Sequence, residues 1–185
     1  MHESDAICAI TDFLDAMCVE KDQHLRETPR RFVSAFKEYL SGYNQSFETL
    51  GIVTQFDNGG YDEIILEKSI PFYSICAHHM VPFFGTAAIG YIPSGKIIGL
   101  SKLPRILDMF AKRLQVQEQL TMQVAHCIQG HLCPAGVGVI IEAEHLCMAC
   151  RGIKKPGVKT ITSCMLGVFR DDPASRAEFM SLIRG

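Results

Sequence analysis

Phe83-Phe84-Gly85-Thr86-Ala87-Ala88-Ile89-Gly90-Tyr91-Ile92 decides the fold. The run is dense in aromatic and branched residues and is closed by Pro93-Ser94-Gly95, so it reads as a strand. Alternate residues of a strand point to opposite faces. Phe83, Ala87, Ile89 and Tyr91 share one face here, and Phe84, Ala88 and Ile92 share the other. A solvated antiparallel face alternates cleanly to polar residues, but both of these faces are apolar or small. The stretch 160–169 has the same two-sided character.

Upstream, an extended pattern begins at Tyr61. Ile64, Leu66 and Ile70 belong to it, Pro71 interrupts it, and it leads to Cys76. Residues 61–92 therefore read as an antiparallel pair with 76–82 at or near the turn. Further upstream the period is helical. Residues 3–20 carry Ile7, Ile10, Phe13, Leu14 and Met17 on one face, with Ser4 as the expected N-cap. Thr28-Pro29 opens a second helix bearing Phe32, Phe36 and Leu40, which Gly42 ends. Residues 44–60 are turn-rich.

Downstream, Ser101 is placed to cap a helix with the stripe Leu103, Ile106, Leu107, Phe110 and Leu114. A second helical run from Gln117 holds Leu120, Val124, Ile128 and Leu132, and Pro134-Ala135-Gly136 stops it. Val137, Val139, Ile141, Ala143, His145 and Cys147 alternate along a third strand, and Thr160 to Phe169 forms a fourth. Asp171, Asp172 and Pro173 open a terminal helix with Phe179, Leu182 and Ile183. Such an order is α+β with an antiparallel sheet. Residues 1–60 form an N-terminal helical segment and 61–185 the domain that carries the sheet. The predicted helices cover one face of four strands, so the second face or the sheet edges are expected to meet another subunit.

Composition narrows the function classes. The chain has 185 residues, 48% hydrophobic and 21% charged, so it is a folded domain and not a disordered segment. Lys and Arg number 18 against 20 Asp and Glu, a net charge of -2, which lacks the basic excess of a duplex nucleic-acid binder. No apolar run reaches the length of about 18 residues that spans a membrane. The acidic start Met1-His2-Glu3-Ser4-Asp5 is unlike a signal peptide, so a cytoplasmic location is expected. Eight cysteines in such a chain point away from a disulfide scaffold. Cys8, Cys18, Cys127, Cys133 and Cys164 read as small buried hydrophobes.

Cys76, Cys147 and Cys150 do not, because each has a His or Cys nearby. Cys76-Ala77-His78-His79 offers a Cys and a His three apart on a turn, a metal half-site. His145-Leu146-Cys147 offers a second pair, projecting to one face if the strand continues that far. Thiolate and imidazole suit zinc. Two arrangements stay open. Cys76, His79, Cys147 and Cys150 would close a structural site. Three protein ligands would leave the fourth position for a water that becomes acidic near neutral pH. The surplus histidines His78 and His145, and an apparent strand rather than a knuckle turn at 147–150, favour the open site.

Ser101-Lys102-Leu103-Pro104-Arg105 sets two cations at a helix N-terminus, which suits phosphate, and Arg151-Gly152-Ile153-Lys154-Lys155 adds a basic cluster. A capped helix with solvated basic residues is the plainer reading. Gln117 and Glu118 could read a purine edge, or be ordinary residues at a helix start.

These motifs, taken together, resemble GTP cyclohydrolase I. The resemblance rests on Cys76-Ala77-His78-His79 with Val81-Pro82-Phe83, on Gly99-Leu100-Ser101-Lys102-Leu103, and on Arg113-Leu114-Gln115-Val116-Gln117-Glu118. It extends through Pro134-Ala135-Gly136-Val137-Gly138-Val139, His145-Leu146-Cys147-Met148, Arg151-Gly152 and Thr160-Ile161-Thr162-Ser163. It covers about residues 28 to 184 in order. It implies the tunnelling fold, an antiparallel four-stranded unit with two helices inserted between the second and third strands. It further implies a toroidal homodecamer with active sites at subunit interfaces. The implied reaction opens the imidazole ring of GTP, releases formate and gives 7,8-dihydroneopterin triphosphate, a first step towards folate and pterins. Carried over residue by residue, Cys76, His79 and Cys147 hold one zinc per subunit. His78 transfers protons and His145 assists. Glu118 with Gln117 holds the guanine. Ser101, Lys102, Arg105 and Arg151 hold the triphosphate, with Arg31 from elsewhere in the assembly. Ala77 stands where many members carry an acid, and Cys150 where members often have Met or another residue that is not a ligand. Two other readings compete. One is a reductase of the same fold that uses a nucleophilic Cys on a deazapurine nitrile, with nicotinamide and without zinc. The other is a zinc-stabilised binding module without turnover.

Overall fold

A computed structural model of the chain describes residues 2–19, 22–51 and 55–185. The expected end of the first helix at Glu20, and residues 52–54 of the turn-rich stretch, lie outside the described residues. The chain divides into two compact units, Met1–Ser41 and Gly42–Gly185.

The first unit is a pair of helices, α1 (Glu3–Ala16) and α2 (Thr28–Tyr39). His2, not Ser4, occupies the N-cap of α1, and no side chain caps it; Glu3 and Asp5 in the first turn instead complement the dipole. Pro29 sits in the first turn of α2, where its missing N–H costs no helical bond. Lys37 of α2 pairs with Glu3 of α1.

The second unit contains β1 (Gln55–Asp57), β2 (Ile65–Cys76), β3 (Pro82–Ile92), β4 (Lys96–Ile98), α3 (Lys102–Ala111), β5 (Leu114–Gln115) and α4 (Gln117–Leu132). β6 (Gly136–His145), α5 (Leu146–Ala149), β7 (Lys159–Gly167), α6 (Val168–Asp171) and α7 (Pro173–Arg184) follow. β1 pairs with β4 in a small ladder. The main sheet runs β5-β2-β3-β6-β7. The four long strands are antiparallel, and α3 and α4 are inserted between β3 and β6.

Pro71 does not break the second strand. β2 runs through it, because β5 reaches only Ile75 and Cys76 and leaves the flank at Pro71 without a ladder to interrupt. The irregularity lies earlier, as a bulge between Glu67 and Ile70 with Ser69 at φ 60°. Leu114, expected on the stripe of α3, belongs to β5 instead. The helix ends at Ala111, and Leu114 pairs in parallel with Ile75.

One sheet face carries the main core. Phe83, Ala87, Ile89 and Tyr91 of β3 meet Val137, Val139, Ile141 and Ala143 of β6 under Leu103, Ile106 and Leu107 of α3 and Leu120, Val124 and Ile128 of α4. The second face is not bare, contrary to the count of helices made from the sequence. At one end Phe179 of α7 lies with Phe169 and Met165. Gly90 and Gly138, directly paired across β3 and β6, make room for that ring; a Cβ at either would stand 2.7 Å from it. At the other end of this face Tyr73 stacks on Phe84 and is 71% exposed, and Ile161 is 64% exposed. Among the described residues, no helix is long and apolar enough to cross a membrane.

Candidate functional site

Cys76 is the last residue of β2 and is buried. The turn after it is tightly fixed. Cys76 N–H donates to Val81 O at 2.9 Å, Met80 N–H donates to Cys76 O at 2.9 Å, and Met80 takes φ 52°. Ala77 N–H donates to Gln115 O of β5 at 2.9 Å, so β5 pins the turn from the side. Gln115 is itself buried, its Nε2 donating to Phe110 O and to Gln123 Oε1, each at 2.8 Å. Sequence reasoning missed this support. The signal was a Gln placed between two apolar residues.

The third strand ends at His145, and residues 146–149 form a helical turn, α5. Cys147 therefore reaches the site from a helix and not from a continuing strand, which removes one argument made above for an open site. Its placement is nonetheless productive. One ligand atom each of Cys76, His79 and Cys147 lies within 4.8 Å of the others, a group able to hold a metal ion. Burial raises the pKa of the Cys147 thiol, and the neighbouring Cys76 raises it further, with Arg151 opposing weakly. A thiol whose ionisation is opposed in this way is the environment a cation reverses. Two thiolates and an imidazole fit zinc by ligand softness.

Cys150 lies outside this group. It is exposed, and its thiol donates to Leu146 O at 3.0 Å. Cys150→Ser is thus expected to retain metal and change stability by only about 0.5 kcal/mol or less. Loss of metal in that variant, read by elemental analysis, would revive the closed four-ligand site. Of the other cysteines, Cys164 is buried and Cys127 half-buried, with burial pushing the Cys127 thiol up to about 11. Cys8, Cys18 and Cys133 are exposed, against expectation, because each lies at a helix surface or end facing away from the core.

His78 and His79 meet edge to face. Their rings stand 6.3 Å from each other at 80°, and His78 Nδ1 is 3.9 Å from Cys76 Sγ. His145 is opposite Phe83 in the sheet register and stacks on it, 4.5 Å between centroids and 2° from parallel. Burial lowers the pKa of His145, while the negative charge of Glu118 opposes that shift. Glu118 is exposed in the first turn of α4, with its charge felt at His145.

Gln117 is placed otherwise than expected. Its side chain is buried and turned into the sheet. Nε2 donates to Ile141 O at 3.1 Å, Thr160 O at 3.0 Å and Thr162 Oγ1 at 3.1 Å, and Oε1 faces His145 Nε2 at 2.7 Å. Thr121, one turn along α4, bonds both Gln117 O and Thr162 Oγ1.

Ser101 stands at the N-cap of α3 with no capping bond from its hydroxyl, and Arg105 is exposed one turn on. Lys102 Nζ donates to Gly51 O at 2.8 Å, which engages one of its three donors. Arg151 is exposed just after α5. Arg31 lies on α2, in the first unit.

A profile of the GTP cyclohydrolase I family matches residues 7–184. The GTP cyclohydrolase 1 of Corynebacterium glutamicum is 50% identical over 186 residues, covering 99% of this chain and 94% of that protein. That of Thermoanaerobacter pseudethanolicus is 49% identical over 177 residues, 95% and 93% of the two chains. That of Sinorhizobium fredii is 49% identical over 161 residues, 87% and 78%. Among solved structures, an archaeosine synthase QueF-Like in its apo form aligns with a TM-score of 0.46 at 17% identity, over 57% of this chain and 94% of that chain. A likeness that slight bears on neither fold nor activity.

Proposed function

This chain belongs to the GTP cyclohydrolase I family, and from that premise we propose that it hydrolyses the imidazole ring of GTP. C8 leaves as formate and the product is 7,8-dihydroneopterin triphosphate, a first step towards folate and pterins. The observation that carries the reading is the convergence of Cys76, His79 and Cys147 within 4.8 Å, with His78 Nδ1 3.9 Å from Cys76 Sγ.

Cys76, His79 and Cys147 would hold one zinc ion per subunit. Bound there, the ion supplies Lewis acidity and a water acidic enough to be a nucleophile near neutral pH. His78, beside Cys76 but outside the metal group, would exchange protons with the purine nitrogen as the C8–N bond breaks. His145, held between Phe83 and Gln117, takes part in later proton transfers. Ser101, Lys102, Arg105 and Arg151 offer hydroxyl and cationic donors to the triphosphate, the first three at the N-terminal turn of α3. Arg31 would join them from elsewhere in the assembly.

Glu118 would accept from the two N–H groups on the guanine edge. With the Gln117 amide turned inward, the base is read by the carboxylate. Glu118→Ala is expected to raise the KM for GTP and erode discrimination against ATP by about 1–3 kcal/mol, because adenine no longer leaves a carboxylate unpaired. A variant that rejects ATP as well as the parent does would show that another group reads the base.

The assembly would be a toroidal homodecamer with sites at subunit interfaces. What supports an oligomer in this chain is the pair of large apolar side chains, Tyr73 and Ile161, that stand exposed on the second sheet face beyond α7. Sedimentation as a monomer at micromolar concentration would contradict it.

Incubation with GTP, followed by oxidation, tests the function. Neopterin fluorescence is expected. Metal without turnover would indicate a zinc-stabilised binding module, and nicotinamide-dependent reduction of a deazapurine nitrile without metal would indicate a reductase.

A further inference from the structure

The structure assigns Gln117 as the positioning residue that fixes His145 in the Nε2–H tautomer, leaving Nδ1 as its proton-exchanging atom. The inference rests on the reading that His145 exchanges protons during GTP hydrolysis.

Donor and acceptor chemistry alone fixes the orientation of the Gln117 amide. Two of the three partners on one end of the Gln117 amide, Ile141 O and Thr160 O, are backbone carbonyls, which only accept. The end facing them is therefore NH₂, and the amide cannot be flipped without setting an oxygen against both. The opposite end is then Oε1, which also only accepts. It lies 2.7 Å from His145 Nε2, so Nε2 must carry a hydrogen. In a neutral imidazole the proton is on one nitrogen, and the bond made by one nitrogen sets the role of the other. With the proton held on Nε2, Nδ1 has the lone pair.

Neighbouring groups make the device rigid. Gln117 is 2% exposed, so water does not compete for its amide. Thr162 Oγ1 shares the two hydrogens of the Gln117 amide with those carbonyls, and Thr121 ties Thr162 back to the helix that carries Gln117. Phe83, parallel to the imidazole, holds the ring plane. An amide partner has a consequence that a carboxylate would not. It orients the ring without adding a negative charge beside it, and it cannot itself take the proton.

Neutron diffraction on deuterium-exchanged crystals of the full chain at alkaline pD tests the assignment directly. A deuteron on His145 Nε2 and none on Nδ1 is expected; a deuteron on Nδ1 alone overturns the inference. The kinetic test is Gln117→Leu. It is expected to lower kcat about 10- to 100-fold, the usual cost of losing a group that orients a site histidine, while KM for GTP and metal content stay near those of the parent. A kcat within about twofold of the parent, with metal retained, would also overturn the inference. A parent that releases no formate at all would instead count against the proposed activity, since the tautomer is read without turnover.

Discussion

Cys147→Ala is expected to hold no tightly bound metal and to release no formate from GTP. Cys147 is the member of the metal group that comes from a separate element, the helical turn α5, whereas Cys76 and His79 share the turn after β2. Without it two ligands remain, fewer than the three that metal sites of this catalytic type use. The fold should survive. Cys147 is only half-buried, and α5 is a single turn at the end of β6. Elemental analysis and formate release on the purified variant decide the point, with circular dichroism confirming the fold. Metal retained at the parent's level would mean that the site is built from other residues.

His78→Ala should behave in the opposite way towards metal. It is expected to keep a full complement of metal and to bind GTP, yet to turn over about 10²–10⁴-fold more slowly. That is the span usually supplied by a general acid–base group and amounts to roughly 3–5 kcal/mol of barrier. The distinction from His79 is geometric, since His79 is the imidazole in the metal group and His78 is not. The expected signature is a fall in kcat with little change in KM. A metal-free His78→Ala, or one as active as the parent, would contradict this division of work.

Much of the site is legible in the sequence because its parts are local. Cys76 and His79 are three apart on a turn bracketed by strands, and the β-forming runs around them fix where that turn falls. The antiparallel order and the two inserted helices follow from hydrophobic period. Other features depend on partners distant in sequence, and those are not legible. The helical turn at 146–149 looks like a strand because His145 and Cys147 continue the alternation of β6. Gln117 looks like a surface residue at a helix start because its partners, Ile141, Thr160 and His145, lie on strands more than twenty residues away. The strand that carries Pro71 looks broken because an open flank cannot be read from the strand itself. The terminal helix is legible from Asp172-Pro173 and its apolar residues, but not its seat on the second sheet face, because Phe179 finds its place only through two glycines that are neighbours across β3 and β6.

The central claim is that a metal held by Cys76, His79 and Cys147 is needed to release C8 of GTP. Formate release from GTP by the chelator-stripped protein, before and after stoichiometric zinc is returned, tests it most directly. Negligible formate from the stripped protein is expected, with one formate per GTP consumed once zinc is restored. Undiminished formate release from protein shown to be metal-free would contradict the account.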